Sequence, residues 1–101
     1  MYETPNQPVE NITDDSKNYD AILLNEQEWS YVKKRYNLTP RECQIAELIC
    51  QGLHNGKIAN SLDISPGTVN THIRNIYRKT HVTSKMAMLL RFITDVRATS
   101  T

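Results

Sequence analysis

Asn70, Thr71, Arg74 and Arg78 are the residues of this chain whose types and spacing suit them to act on a partner. Val69, Ile73, Ile76 and Tyr77, interleaved with them, follow the i, i+4, i+7, i+8 spacing of one helical face. At roughly 100° per residue, Thr71, Arg74 and Arg78 then point the opposite way, flanked by Asn70 and Asn75. Amide, hydroxyl and guanidinium groups on the outside of a helix are the donors and acceptors that base edges and phosphates require. The pattern alone fits an ordinary amphipathic surface helix equally well. Ser65 can cap this helix and Pro66 suits its first turn, where a missing N–H costs nothing, so a helix is predicted over Ser65–Thr80.

The elements before it have the character of supports. Leu38 to Glu42 is a helix start, with Thr39 as cap, Pro40 at the first position and Glu42 at the third. Ile45, Ala46, Leu48, Ile49 and Cys50 supply the buried face, and Gly52 is placed to end the helix in a left-handed conformation. His54-Asn55-Gly56 is predicted to break the chain before a short helix from Lys57 to Leu62. Asp63-Ile64 then leads directly into Ser65, and two helices joined so closely, the second with a polar outer face, make a helix-turn-helix.

Two more helices flank this pair. Asn25 with Glu28 forms a capping-box pattern, and Leu24 with Trp29 a hydrophobic staple. The helix they start carries Trp29, Val32 and Tyr36 as a narrow stripe for packing on the domain. Thr83 or Ser84 can cap a last helix from Lys85 to Val96, with Met86, Leu89, Leu90 and Ile93 expected to dock on the core. Met88 and Phe92 are then left over as an apolar patch for dimerisation, unless Phe92 folds over the Trp29 helix.

Leu38 to Val82 resembles the DNA-binding domain of LuxR-type regulators, the effector domain of many response regulators. The resemblance rests on Leu38-Thr39-Pro40-Arg41-Glu42, Gly52-Leu53, Asn55, Ile58-Ala59, Leu62, Ile64-Ser65, Thr68-Val69, His72-Ile73, Asn75-Ile76-Tyr77 and Lys79. It implies an all-α fold: a four-helix LuxR-type helix-turn-helix bundle, here with an extra N-terminal helix and a disordered acidic tail. By position it assigns base contacts to Asn70, Thr71 and Arg74, and DNA backbone contacts to Thr68, His72 and Lys79; Arg78 on the outward face and Lys57 join the second group. It also implies that the last helix mediates dimerisation. The sequence departs from the pattern at Lys57, where Glu is common, and at Thr80-His81, where Leu-Gly is usual, which puts the turn before the last helix in question. Lys57 places a cation at a helix start, where the dipole disfavours it.

Composition narrows the rest. The chain has 101 residues, 39% of them hydrophobic, enough for one small domain and a tail. Residues 1–20 hold five acids against Lys17, a net −4, and two prolines; residues 21–101 hold eleven bases against six acids, a net +5. The expected organisation is an acidic tail or linker over 1–20, a packing helix over 21–37, the helix-turn-helix domain over 38–97 and a disordered end over 98–101. No apolar run approaches the about 18 residues of a membrane span, and no signal segment is evident, so a cytoplasmic, nucleoid-associated bacterial protein with no membrane partner is expected. On one helix Cys43 and Cys50 lie about 10 Å apart, too far for a disulfide. Cys50 suits the core and Cys43 a partly exposed site.

Cys43, Cys50, His54, His72 and His81 lack the close pairing that starts a zinc site. Ser65 and His72 have no third partner for a hydrolase triad, and three glycines form no phosphate loop. No metal, no cofactor and no catalysis are expected. The leading function is sequence-specific binding of double-stranded DNA in transcription regulation, by a weak homodimer on DNA with RNA polymerase as a further partner. The alternatives are a protein-interaction module on the same scaffold, or a sigma-factor-like module. An interaction surface would more often show aromatics or aliphatics where Thr71, Arg74 and Arg78 stand.

Overall fold

A computed structural model describes residues 24–100 as five helices, with no strand among the described residues. They are α1 (Glu26–Tyr36), α2 (Pro40–Cys50), α3 (Asn55–Leu62), α4 (Pro66–Thr80) and α5 (Lys85–Ser100). The acidic tail over 1–20 lies outside the described residues.

Each helix begins on a side chain that accepts from one of its open N–H groups. Asn25 and Glu28 close a full capping box on α1, with both hydrogen bonds at 2.8 Å, and Thr39 and Glu42 close another on α2, with both at 3.0 Å. Ser65 accepts from the Thr68 N–H at 3.1 Å and Ser84 from the Ala87 N–H at 3.1 Å. Such a cap contributes about 1 kcal/mol. The cap of α3 corrects an expectation. His54 does not break the chain; its Nδ1 accepts from the Lys57 N–H at 3.3 Å, and Asn55 and Gly56 are already helical. An imidazole nitrogen here does the work of the usual cap oxygen.

The helix ends share one closure. Gly52 takes a left-handed φ of 92°, its N–H donates to the Ile49 carbonyl, and the Leu53 N–H donates to the Leu48 carbonyl. Asn37, Asp63 and His81 adopt the same left-handed conformation, with φ of 55°, 57° and 60°, without being glycine. The following N–H in each case reaches back to Lys33, Ala59 or Tyr77 at 3.0 Å. The departure at Thr80-His81 therefore preserves the turn before the last helix.

Ile45, Ala46 and Ile49 of α2, Ile58 and Ala59 of α3, and Val69, Ile73 and Ile76 of α4 pack into one core. Along α2, Cys43 is buried on the stripe with Ala46, whereas Cys50, the last residue of the helix, is only half-buried, the reverse of expectation.

On α5 the expected faces are exchanged. Met88, Phe92 and Val96 are the buried stripe, Leu89 and Ile93 lie half-buried beside it, and Met86 and Leu90 are 65% and 55% exposed. The cause is α1, which lies against α5. Trp29 meets Phe92 edge to face at 5.7 Å, and the Tyr36 ring lies 5.9 Å from Phe92. The Tyr36 hydroxyl donates to Asp95, and Arg35 Nε stands 3.3 Å from the same carboxylate. Met88 and Phe92, with no exposed surface, are thus not available for dimerisation. The helix also continues through Ser100, beyond the domain end expected at residue 97.

Candidate nucleic-acid interface

The α3–α4 pair is held as a unit from inside and outside. Ile58 and Ala59 of α3 and Val69 and Ile73 of α4 share one buried cluster, and the left-handed Asp63 turns the chain between the helices. On the outside, Asn55 Nδ2 donates to Asn70 Oδ1 at 2.8 Å, tying the first turn of α3 to α4. A third contact fixes the far end of α4. Lys79 Nζ lies 2.6 Å from Glu42 Oε1 and 2.9 Å from the Asn37 carbonyl, joining α4 to the start of α2 and the end of α1.

Burial pushes the Glu42 carboxyl up, but hydrogen bonds from Lys79 and the Thr39 N–H, with the charges of Lys79 and His72, outweigh it. The carboxyl is held below its ordinary value. Cys43 is inert by contrast: burial, then the charge and hydrogen bond of Glu47, push its thiol up to about 11.

With Val69, Ile73 and Ile76 buried, the opposite face of α4 presents Asn70, Thr71, Arg74 and Arg78 to solvent. The Arg74 and Arg78 guanidiniums meet no partner among the described residues, and the Lys57 side chain on α3 is likewise exposed. The Thr71 hydroxyl donates to the Gly67 carbonyl at 3.1 Å, and the residue is exposed. Thr68 is exposed and shares a 2.9 Å hydrogen bond with the Ser65 hydroxyl at the N-terminus of α4. His72 is half-buried, its Nδ1 enclosed without a hydrogen-bond partner among the described residues.

Two residues depart from what the sequence suggested. Lys79 is not the free cation that a phosphate contact needs, because Glu42, 37 residues away in the chain, has drawn it inward. Asn55 was missed as a member of this surface. Its type and its place before Ile58-Ala59 were visible, but no local rule pairs residues 15 apart across a turn.

Among the described residues no helix is long and apolar enough to cross a membrane. Residues 36–92, more than half of the chain, match the family described as "Bacterial regulatory proteins, luxR family". A stretch of 56 residues is 45% identical to the nitrate/nitrite response regulator protein NarP of Escherichia coli (strain K12), covering 55% of this chain and 26% of that protein. Over 63 residues it is 41% identical to the HTH-type transcriptional regulator MalT of Cronobacter sakazakii (strain ATCC BAA-894), covering 62% of this chain and 7% of that protein. The matched stretch is thus a small part of both relatives. No solved structure matches.

Proposed function

This chain belongs to the luxR family of bacterial regulatory proteins, and we propose that it binds double-stranded DNA through the outer face of α4 and reads sequence there to regulate transcription. The observation that carries this reading is the side-chain census of α4: two unpaired arginines, an amide and a hydroxyl on the exposed side, with aliphatics confined to the buried side. Arg74, with Asn70 and Thr71, supplies base contacts in the major groove. Arg78, Lys57, Thr68 and the exposed part of His72 hold phosphates. A protein-interaction module would place apolar side chains on this face. The printed names of the two relatives, a response regulator and an HTH-type transcriptional regulator, support the same role.

Pairing of two copies belongs to this reading, with a revised surface. Met86 and Leu90 are one turn apart and exposed on α5, Leu90 beside Val82 and Ala87 and Met86 beside Leu53 and Leu89. A second copy meeting this strip would set two α4 helices on successive turns of the duplex, about 34 Å apart.

Equilibrium binding to a random-sequence duplex over a salt series tests the core of the proposal. Affinity should fall as salt rises, with a logarithmic slope of about −2 to −4 for a few phosphate contacts. Absence of binding at low salt, or binding indifferent to salt, would point to the interaction-module reading instead.

A further inference from the structure

We propose that Asn55 is a positioning residue for base reading: it turns the Asn70 amide so that the amino group, and not the oxygen, faces the bases. The inference rests on the DNA-binding role proposed above. Asn55 Nδ2 donates to Asn70 Oδ1 at 2.8 Å. A primary amide is planar, with oxygen and nitrogen on opposite branches, so fixing the oxygen of Asn70 fixes the direction of its Nδ2. Asn70 is exposed, and among the described residues nothing accepts from that Nδ2.

The polarity of the pair is set from inside. The Oδ1 of Asn55 is buried and has no hydrogen-bond partner among the described residues. Reversing both amides would keep the hydrogen bond but put the amino group of Asn55 in that buried place. Asn55 is the first residue of α3, where backbone N–H groups lack intrahelical acceptors and the helix end is positive. An oxygen is favoured there over a further donor. Asn55 therefore keeps its oxygen inward and its amino group outward, and Asn70 must answer with its own oxygen.

The consequence is a restriction on sequence. A freely turning asparagine can offer both atoms to adenine, accepting from N6 and donating to N7. With its oxygen turned towards Asn55, Asn70 presents its amino group, a donor, to the bases. It suits guanine N7 or O6, adenine N7 and thymine O4, and it opposes the amino group of cytosine.

Selection from a randomised duplex pool, by the whole chain and three variants, tests this. The wild type should disfavour cytosine at one position by about tenfold, and Asn70→Ala should erase that preference alone. Asn55→Asp is close in shape, suits the first turn of a helix, and can only accept. It should reverse the Asn70 amide and shift the preference at that same position towards cytosine or the amino group of adenine, while lowering affinity for all sequences alike. In the Asn55→Asp, Asn70→Ala double variant the position should be indifferent. An Asn55→Asp protein that keeps the wild-type preference, or changes it equally without Asn70, overturns the inference while leaving DNA reading intact. A wild type that selects no sequence overturns both.

Discussion

Lys79, in the last turn of α4, sets its Nζ 2.6 Å from Oε1 of Glu42, in the first turn of α2. The same ammonium reaches the Asn37 carbonyl at 2.9 Å, and Glu42 also caps α2 through the Thr39 N–H. One ammonium, held on a buried carboxylate, thus fixes where α4 lies relative to two other helices. Lys79→Met should leave that carboxylate without its cation and cost about 3 kcal/mol in urea unfolding. A loss below about 1 kcal/mol would show that solvent screens the pair. Because the folded-state pKa of Glu42 is depressed, its contribution is present above the unfolded value of about 4.3 and is lost as pH falls through the folded value. The wild type should therefore lose stability below about pH 4, and the Glu42→Gln protein should lack that component of the loss.

Arg74→Ala should weaken binding to a selected site by about 1–3 kcal/mol and leave the melting temperature unchanged, since Arg74 is exposed and unpaired. Arg78→Ala should weaken binding to all duplexes alike and flatten the salt slope by about one unit. If Arg78→Ala changed sequence preference, the division between base and phosphate contacts on α4 would be wrong.

His81→Gly should stabilise the domain by about 0.5–1 kcal/mol in thermal or urea unfolding, because φ of 60° burdens a residue with a Cβ and glycine adopts it freely. A loss of stability would show that the His81 side chain makes up for its own backbone.

Leu90→Glu should keep the fold and abolish cooperative filling of two half-sites, whereas Phe92→Ala should cost about 3–5 kcal/mol in stability. Cooperative filling that survives Leu90→Glu would exclude the α5 strip as the pairing surface.

These assignments differ in how far the sequence alone could carry them. Helix starts were legible at Asn25–Glu28, Thr39–Glu42 and Ser65 because a cap and its N–H lie three residues apart. The inner and outer faces of α4 were legible because a single apolar stripe leaves no choice. α5 was ambiguous, since Met86–Leu90 and Met88–Phe92 each make a helical stripe. The choice was decided by Trp29 and Tyr36, more than 55 residues earlier in the chain, whose rings cover Phe92. Lys79 had the same difficulty: as a cation on a polar helix it looked free, and only the tertiary approach of Glu42 claims it. His54 is not legible as a cap because an imidazole cap is uncommon beside Ser, Thr, Asp and Asn.

The central claim is that the outer face of α4 meets DNA. Titrating a duplex into the isotope-labelled chain and following every backbone amide by NMR tests it most directly. Signals of Asn70, Thr71, Arg74 and Arg78 should move most, with Thr68 and Lys57 beside them, while Trp29, Val32 and the buried residues of α5 stay in place. Shifts centred on α1 or on Met86 and Leu90, with α4 unmoved, would contradict the account.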